Sequence, residues 1–192
     1  GYVTFGSLTR GIRLNDRVVK VWSQILKKVP NSKLIINSQD FKSSLFKKII
    51  IEKFRLFGVE EKKLNFFFES PPWDTLRKID IGLDCFPHNS GTTLMEHLYM
   101  GNPLITMADR PSVGRIGNHY LNGIKHLEWV AKNDNDYIEK SILLASDLFK
   151  LKKIRNSLRS EIENSYVKNP KRFTAQLEKT YKEMWDNYCN KK

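Results

Sequence analysis

Short apolar segments alternate with amphipathic segments along most of this 192-residue chain, and this alternation is what most limits its fold. Five apolar segments have the length and composition of buried strands: residues 2–5, 33–37, 64–68, 81–85 and 104–107. Strands that alternate with helices are joined by right-handed crossovers and form a parallel sheet with helices on both faces. The sequence therefore predicts an α/β fold with a mainly parallel sheet.

Helical patterns fill most of the remaining chain. The first helix begins near Asn15, and its apolar residues recur at helical spacing until Pro30. From Asn133 the pattern is helical almost to the end, so we expect a single domain in which an α/β core (about 1–130) precedes C-terminal helices (about 134–188). The other predicted helices cover residues 41–57, 73–79, 92–100, 112–121, 136–149, 151–164 and 173–188.

Loops that follow the predicted strands carry the residues most able to bind a ligand. In a parallel sheet these loops meet at the carboxyl edge, where ligands bind. The first strand, which Gly6 and Ser7 are expected to end, leads into a loop with Arg10 and Arg13, and the loop over residues 108–115 carries further arginines. Convergence of these cations predicts a ligand with a diphosphate group.

The stretch Asp80–Pro103, DIGLDCFPHNSGTTLMEHLYMGNP, has the pattern of a strand, a loop of small residues and the start of a helix. A helix N-terminus offers unpaired backbone N–H groups and the positive end of a dipole, which together suit a phosphate. The hydroxyls of Thr92 and Thr93 stand where they either cap the helix or bond phosphate oxygens. An ordinary capped helix is the alternative to an anion site here.

A net charge of +12, from 33 Lys and Arg against 21 Asp and Glu, is compatible with a nucleic-acid partner. The cations are spread along the whole chain, however. The sequence also lacks RRM aromatic motifs, zinc-finger spacings and helix-turn-helix patterns. The charge therefore favours anionic small ligands, acidic partners or solubility, and nucleic acid is not the expected partner.

Neither a membrane span nor a metal centre is predicted. The sequence has no run of about 18 apolar residues. Cys85 and Cys189 are too few for a disulfide framework or a zinc site, so a reducing, cytoplasmic setting is expected. Walker A and G-x-G-x-x-G patterns are absent, which argues against an ATPase and an ordinary dinucleotide site. Four histidines lack metal-ligand spacing and are expected to be structural or exposed: His88, His97, His119 and His126.

Several motifs, taken in their order, resemble one protein family. They are YVTFGS, VVKVWSQILKKVPNSKLII, DIGLDCFP with SGTTLMEHLYMGNPLITM, VGRIGNHYL, LEWVAKNDNDY, LRSEI and RFTAQLEKTYKEMW. Together they resemble the C-terminal catalytic lobe of the O-linked N-acetylglucosamine transferase/SPINDLY glycosyltransferases over nearly the whole chain. The resemblance implies a GT-B fold, in which two Rossmann-like lobes enclose the active site and the C-terminal lobe binds the nucleotide sugar.

The resemblance also implies how the donor is held. The family's lysine that neutralises the leaving diphosphate falls at Arg13, which keeps the charge but has a forked geometry. Glu96 matches the acidic residue that bonds the ribose hydroxyls, and Gly91 replaces a Thr or His of the donor loop. No metal or other cofactor is implied, because cations and helix-end amides offset the diphosphate charge. The implied donor-binding residues are Ser7, Arg10, Asn89, Ser90, Gly91, Thr92, Thr93, Glu96 and Arg115.

The base-binding segment of the family corresponds to residues 69–76. Pro72 stands there in place of a usual histidine, and Leu76 in place of a tyrosine. Trp73 either stacks on the base or, as its spacing favours, anchors a helix in the core. Pro72 and Trp73 are the expected base pocket, and the identity of the base stays open.

By resemblance, the whole protein transfers N-acetylglucosamine from UDP-N-acetylglucosamine to Ser or Thr of proteins in an inverting, metal-independent reaction. GDP-fucose is the alternative donor, because SPINDLY-like members include fucosyltransferases. A non-catalytic interaction module is an alternative of another class, favoured by the substitutions at Arg13, Gly91 and Pro72. The family's N-terminal lobe and tetratricopeptide repeats, which contact the acceptor protein, do not lie in these residues. We therefore expect these residues alone to be inactive.

Overall fold

Six parallel strands form one sheet in the computed structural model, which describes residues 1–109 and 112–190. The strands are β1 (Val3–Leu8), β2 (Ser32–Asn37), β3 (Leu64–Phe67), β4 (Ile81–Leu83), β5 (Leu104–Met107) and β6 (Val130–Ala131). Their order across the sheet is β3-β2-β1-β4-β5-β6. The chain builds outward from β1 and then returns to build on its other side, as doubly wound folds do. The predicted Rossmann-like α/β fold is confirmed.

Eight α-helices lie in the described ranges: α1 (Asp16–Lys28), α2 (Ser44–Leu56), α3 (Trp73–Arg77), α4 (Thr92–Tyr99), α5 (Ile116–Gly123), α6 (Asp134–Ser146), α7 (Leu148–Glu163) and α8 (Pro170–Cys189). Each of α1 to α5 connects two strands, and α6 to α8 follow β6. None of these helices is both long enough and apolar enough to cross a bilayer.

The central strands are buried on both faces, because their side chains alternate between two clusters. On one face Phe5 and Leu34 belong to the main core with Trp22 of α1. On the other face Leu8 and Ile35 pack in a smaller cluster beside α3. Each large apolar side chain that is buried in this way contributes about 1.5–3 kcal/mol. Burial on both faces explains why these segments are nearly continuous apolar runs.

Gly6 and Ser7 lie inside β1, which continues to Leu8, so the prediction that they end this strand is wrong. Gly6 is paired with Gly82 of β4. A Cβ on Gly6 would lie 2.3 Å from Cδ1 of Ile79. Glycine therefore serves close packing at this position and does not mark a turn.

Capping residues move the starts of two helices away from their predicted positions. α2 begins at Ser44 and not at residue 41, because the side chain of Ser43 accepts a hydrogen bond from the N–H of Phe46. α6 begins two residues earlier than predicted, because Asn133 caps it in the same way. Side-chain caps of this kind define where a helix starts more sharply than apolar periodicity does.

One strand near the edge of the sheet was not predicted, and one predicted loop lies partly outside the described residues. Strand β6 was not predicted, since two residues carry too little pattern; it pairs with Thr106 and Met107 of β5. The predicted loop over residues 108–115 includes residues 110 and 111, which lie outside the described residues. Its last part forms a short helical turn, Ser112–Arg115.

Helix α8 contributes no buried residue to the core. Asn169 caps it and Pro170 occupies its first turn, so its start is well defined by local chemistry. The large side chains exposed along it are Phe173, Leu177, Tyr181, Met184, Trp185 and Tyr188. The helix is amphipathic, and the side chains of its apolar stripe are exposed.

Deletion of α8 should therefore barely change stability. A chain that ends at Asn169 is expected to lose less than about 1 kcal/mol of unfolding free energy, measured by urea denaturation. Leu151→Ala is the matched comparison in α7, because Leu151 is buried and its truncation should cost about 2–5 kcal/mol. A large loss on deletion of α8 would contradict the conclusion that this helix, which has no buried residue, adds little to the core.

Helix α4 buries a histidine without a hydrogen-bond partner. His97 is 1% exposed, and neither ring nitrogen bonds any group in the described part of the chain. Burial lowers the pKa of the His97 imidazole to about 3, because protonation would place an unpaired charge in the interior. His97 is thus structural, one of the two placements that the sequence predicted, and it is neutral at pH 7.

This buried ring should make stability depend on pH. Between about 6.5 and the folded value near 3, the unfolded chain binds a proton at His97 and the folded chain does not. The free energy of unfolding should fall as pH is lowered through this window, and the contribution is fully present above it. Urea denaturation at several pH values should find this dependence reduced in His97→Leu.

Other groups that titrate in this pH range must be the same in the wild type and in His97→Leu. Burial raises the pKa of Asp84 to about 6, so that group binds its proton earlier in the folded chain and titrates in the opposite sense. Because Asp84 is present in both proteins, the difference between the two pH profiles isolates His97. Identical profiles would refute the role given to its burial.

Candidate functional site

Four strand-end loops enclose a cavity of about 430 Å³ at the carboxyl edge of the sheet. Its walls come from the loops after β1, β2 and β3 and from the start of α4. It lies beside β1 and β4, where the direction of winding reverses, and this is where α/β sheets bind ligands. A larger cavity of about 840 Å³ lies between α5 and α7. None of the strand-end loops lines it, so the smaller cavity is the candidate site.

The loop after β1 brings two arginines, Arg10 and Arg13, to the cavity wall. Its backbone is held by the neighbouring loop, since the N–H of Gly11 donates to Oδ2 of Asp40 at 2.6 Å. This bond and one from the Ser38 hydroxyl lower the pKa of the Asp40 carboxyl. Of the two arginine-bearing loops that were predicted to converge, this one lines the cavity.

Arg13 also contacts a histidine on the loop after β4. Nη2 of Arg13 lies 3.1 Å from Nε2 of His88. A guanidinium only donates, so Nε2 of His88 must accept and the imidazole is neutral in this arrangement. Burial, with the charges of Arg13 and Arg10, lowers the pKa of His88. The sequence offered no signal for this contact, because the two residues lie 75 positions apart.

The loop after β4 is shaped by the buried side chain of Asp84, which was not among the predicted site residues. Oδ1 of Asp84 accepts the N–H of Ser90 at 2.7 Å, and Oδ2 accepts the hydroxyl of Thr106 at 2.7 Å. The backbone carbonyl of Asp84 accepts the hydroxyl of Tyr137 at 2.9 Å. Desolvation raises the pKa of Asp84 to about 6, and the bonds from Thr106 and Ser90 oppose that rise. The carboxylate therefore joins the loop to β5.

Asn89 strengthens the same junction from inside. Its Nδ2 donates to the carbonyls of Cys85 and Met107 at 3.1 and 3.3 Å, and its Oδ1 accepts the N–H of Gly117 at 3.3 Å. Asn89 and Ser90 are both buried. The structure thus places these two predicted donor-binding residues behind the cavity wall, where they fix the loop.

The start of α4 faces the cavity with Gly91, Thr92 and Thr93. Gly91 is the N-cap residue, and no side chain in the described ranges caps this helix end. The first N–H groups of a helix have no partner within the helix, so they are available to an anion. Of the two uses predicted for the threonine hydroxyls, capping is not observed.

Glu96 lies one turn further along α4 and lines the same cavity. Burial raises the pKa of its carboxyl. A carboxylate at this distance from the helix start can accept two hydrogen bonds from a vicinal diol. The spatial relation of Glu96 to Thr92 and Thr93 agrees with the sequence prediction.

The outer end of the cavity differs from the predicted base pocket. Pro72 lines it, but Trp73 does not, and Trp73 is 41% exposed. The prediction of Trp73 as a core anchor is wrong, because Thr75 and Leu76 are the residues that α3 buries. Phe68, which was predicted as the last residue of the third strand, is as exposed as Trp73 and lines the cavity.

Two further predicted residues lie away from the cavity. Ser7 is 2% exposed inside β1, and its hydroxyl faces the buried thiol of Cys85. Arg115 is exposed on the turn before α5 and is not part of the cavity wall. Within the described ranges no three His, Cys, Asp or Glu side chains converge as a metal site.

Chemically, the cavity is suited to an anion that carries a diol. Arg10 and Arg13 supply two guanidinium groups, and charge-assisted hydrogen bonds of this kind are about twice as strong as neutral ones. The N-terminus of α4 adds N–H donors and Glu96 adds an acceptor. Phe68 offers an apolar face at the outer end.

Comparison with known proteins places this chain among glycosyltransferases. The family model described as Glycosyl transferase family 41 matches residues 2–177. A protein of Arabidopsis thaliana, described as probable UDP-N-acetylglucosamine–peptide N-acetylglucosaminyltransferase SPINDLY, is 36% identical over 195 residues. That match covers 98% of this chain and 21% of the plant protein, so the chain spans about a fifth of the relative's length.

Solved structures agree with the sequence comparison. A mutant of the Thermobaculum terrenum O-GlcNAc transferase superposes with a TM-score of 0.89 at 26% identity, over 98% of this chain and 37% of that one. The pneumococcal O-GlcNAc transferase GtfA, in complex with UDP and GlcNAc, has a TM-score of 0.60 at 19% identity over 94% of this chain and 35% of that one, which supports the fold alone. The predicted GT-B lobe and its family are confirmed: the chain belongs to glycosyl transferase family 41.

Proposed function

We propose that this chain is the donor-binding lobe of a protein O-glycosyltransferase, one that transfers N-acetylglucosamine from UDP-N-acetylglucosamine to Ser or Thr. The observation that carries the proposal is the meeting of Arg10, Arg13 and the uncapped start of α4 in one cavity. The names of the SPINDLY relatives and of the O-GlcNAc transferase structures support the choice of donor. In this proposal the cavity's own cations and N–H groups offset the diphosphate charge without a metal, and the transfer is inverting, as the family resemblance implies.

Arg13 stabilises the leaving diphosphate in this proposal. Its guanidinium lines the cavity and is held on its outer side by His88. A fixed cation matters most when the sugar–phosphate bond breaks, because negative charge then grows on the bridging oxygen. Arginine in place of lysine keeps this charge and presents its N–H donors in a rigid fork that can bind two phosphate oxygens at once.

The ribose and the base form the nucleoside part of the donor, and both lie on the same side of the diphosphate in this proposal. Glu96 accepts hydrogen bonds from the ribose hydroxyls, and Phe68 replaces Trp73 as the face on which the base stacks. An exposed aromatic ring at a cavity wall is a typical stacking surface, worth about 1–3 kcal/mol per base.

GDP-fucose is a second candidate donor, and one residue favours it. Glu69 lines the outer end of the cavity, next to Phe68. A carboxylate accepts the two adjacent N–H donors on the edge of guanine, whereas uracil presents a single N–H between two carbonyl oxygens. Oε2 of Glu69 already accepts the hydroxyl of Thr75, so guanine would share this carboxylate.

The acceptor protein is bound by parts of the longer protein in this proposal. The chain spans about a fifth of its SPINDLY relatives. The apolar stripe of α8, whose side chains are exposed, offers a surface for a second lobe. The 192 residues therefore bind the donor but lack the acceptor side of the active site.

Calorimetric titration of residues 1–192 with UDP, GDP, UDP-N-acetylglucosamine and GDP-fucose tests the donor site. One nucleotide and its sugar should bind selectively. Arg13→Ala should weaken that binding at least about tenfold, the effect of losing one charged hydrogen bond. Thr92→Ala should weaken it less. Arg55→Ala, an exposed arginine on α2, is the matched control and should bind normally.

Other outcomes of this titration separate the alternatives. Selective binding of GDP and GDP-fucose would favour the second donor. Absence of binding to all four compounds would contradict a donor site in this chain. Strong, salt-sensitive binding of DNA or RNA in place of nucleotides would instead support a nucleic-acid partner.

Transfer activity gives a separate test. Residues 1–192 with a radiolabelled donor and a Ser/Thr peptide should give no turnover above the rate of donor hydrolysis, because in this proposal the acceptor is bound by parts of the longer protein. Efficient sugar transfer by these residues alone would refute the two-lobe proposal.

A further inference from the structure

A second concave surface lies at the corner between α6 and α7, away from the donor cavity. The carboxylate of Asp134, at the start of α6, pairs with Arg17 at the start of α1. Both helices therefore begin at the carboxyl edge of the sheet. The 13 residues of α6 rise about 20 Å, so its other end lies at the amino edge. A lobe that covers the donor cavity would leave this corner open.

A cavity of about 300 Å³ opens between α6 and α7 at this corner. Trp129, Leu144 and Leu151 are buried residues that form part of its wall, and Ile154 lines it further along α7. The wall is thus largely apolar. A space of this size accepts one large apolar side chain.

Ring stacking and hydrogen bonds hold Trp129, the aromatic part of this wall, in place. The imidazole of His126 stacks on the indole of Trp129, with ring centroids 4.0 Å apart. Its Nδ1 lies 2.6 Å from a carboxylate oxygen of Glu128, and its Nε2 lies 2.7 Å from one of Glu161. The aromatic wall is therefore ordered before a partner arrives, which lowers the entropic cost of binding.

Large apolar side chains extend this surface into solvent. Leu143 of α6 lines the cavity and is 69% exposed, and Phe149 in the first turn of α7 is 82% exposed. Exposed apolar groups next to an apolar cavity mark interaction sites more often than isolated ones do. Burial of these groups would supply the apolar part of a binding energy.

Lysines border the apolar groups on α7. Lys150 lines the cavity, and Lys153 lies one turn further along α7. Neither Lys150 nor Lys153 pairs with a carboxylate in the described part of the chain. Lys140 also lines the cavity, but its ammonium is already engaged by Asp136. Two uncompensated cations thus face any partner.

We propose that this α6–α7 surface, formed by Leu143, Lys150 and Lys153 beside the cavity, docks an acidic peptide segment with one large apolar anchor residue. The anchor fills the cavity and packs on Leu143. Asp or Glu residues beside the anchor pair with Lys150 and Lys153, which gives orientation and salt dependence. This interaction lies beyond donor binding and does not require it.

The concave shape favours a peptide over a lipid surface. A lipid surface is flat on this scale and would contact Phe149 without filling the cavity in front of Trp129. A short acidic segment therefore satisfies both the apolar cavity and the two lysines.

Selection from a random 12-residue peptide library on residues 1–192 tests the proposal. Enriched sequences should contain Asp or Glu around one Leu, Phe or Trp. A labelled peptide from the selection should bind at least about tenfold more weakly to Leu143→Glu and to the double variant Lys150→Glu/Lys153→Glu, measured by fluorescence anisotropy. Raising the salt concentration should weaken binding to the wild type.

Matched control variants carry the same changes elsewhere on the surface. Leu56→Glu alters an 82% exposed leucine at the end of α2, and Lys48→Glu alters an exposed lysine of that helix. Both should bind the peptide as the wild type does. Because Leu143, Lys150 and Lys153 are exposed, all variants should keep the wild-type circular dichroism spectrum.

Three results would overturn the proposal. The first is a selection without acidic, apolar-anchored sequences. The second is equal binding of the selected peptide to the α6–α7 variants and the wild type. The third is binding to phosphatidylserine vesicles that the same variants abolish, without any peptide binding, which would assign the surface to lipid.

Discussion

The buried carboxylate of Asp84 is the interaction on which the candidate site most depends. It accepts the N–H of Ser90 and the hydroxyl of Thr106, and so ties the loop after β4 to the neighbouring strand. Burial makes its ionised form costly, which is why its pKa rises to about 6. Two donors at 2.7 Å offset part of that cost. The network determines where α4 starts, and with it where the helix presents its unpaired N–H groups.

Sheet topology brings the other parts of the site to that helix. β1 lies at the centre of the sheet, so the loops after β2 and β3 meet its loop on one side and the loop after β4 meets it on the other. Arg10 and Arg13 thereby stand between the base end of the cavity and the helix start. The proposed nucleotide-sugar donor would span this junction of cations, amides and acceptors. The α6–α7 corner lies at the opposite edge, which separates docking from donor binding.

Sequence patterns predicted the helices and strands well. They predicted less well whether an individual side chain lines the cavity or points into the interior. Arg13, Thr92 and Glu96 line the cavity, because each follows a strand end or lies one helix turn from the loop. Asn89 and Ser90 lie in the loop after β4, just before α4, but they point inward. The side-chain amide of Asn89 and the backbone N–H of Ser90 both donate hydrogen bonds within the buried network. A loop motif identifies which residues are near a ligand. It does not identify which of them support the others.

By itself, the sequence determined the α/β fold, the strand-end loops, the two arginines and the helix start, because these follow from apolar periodicity, turn residues and local motif order. Only the tertiary structure decided that Phe68 and not Trp73 faces the cavity, that His88 contacts Arg13, and that Asp84 anchors the loop. Each of these depends on residues that are distant in the chain or on which side of a short helix is buried. The physical reason is that side-chain burial is settled by packing against other elements, and a single segment carries no record of its neighbours.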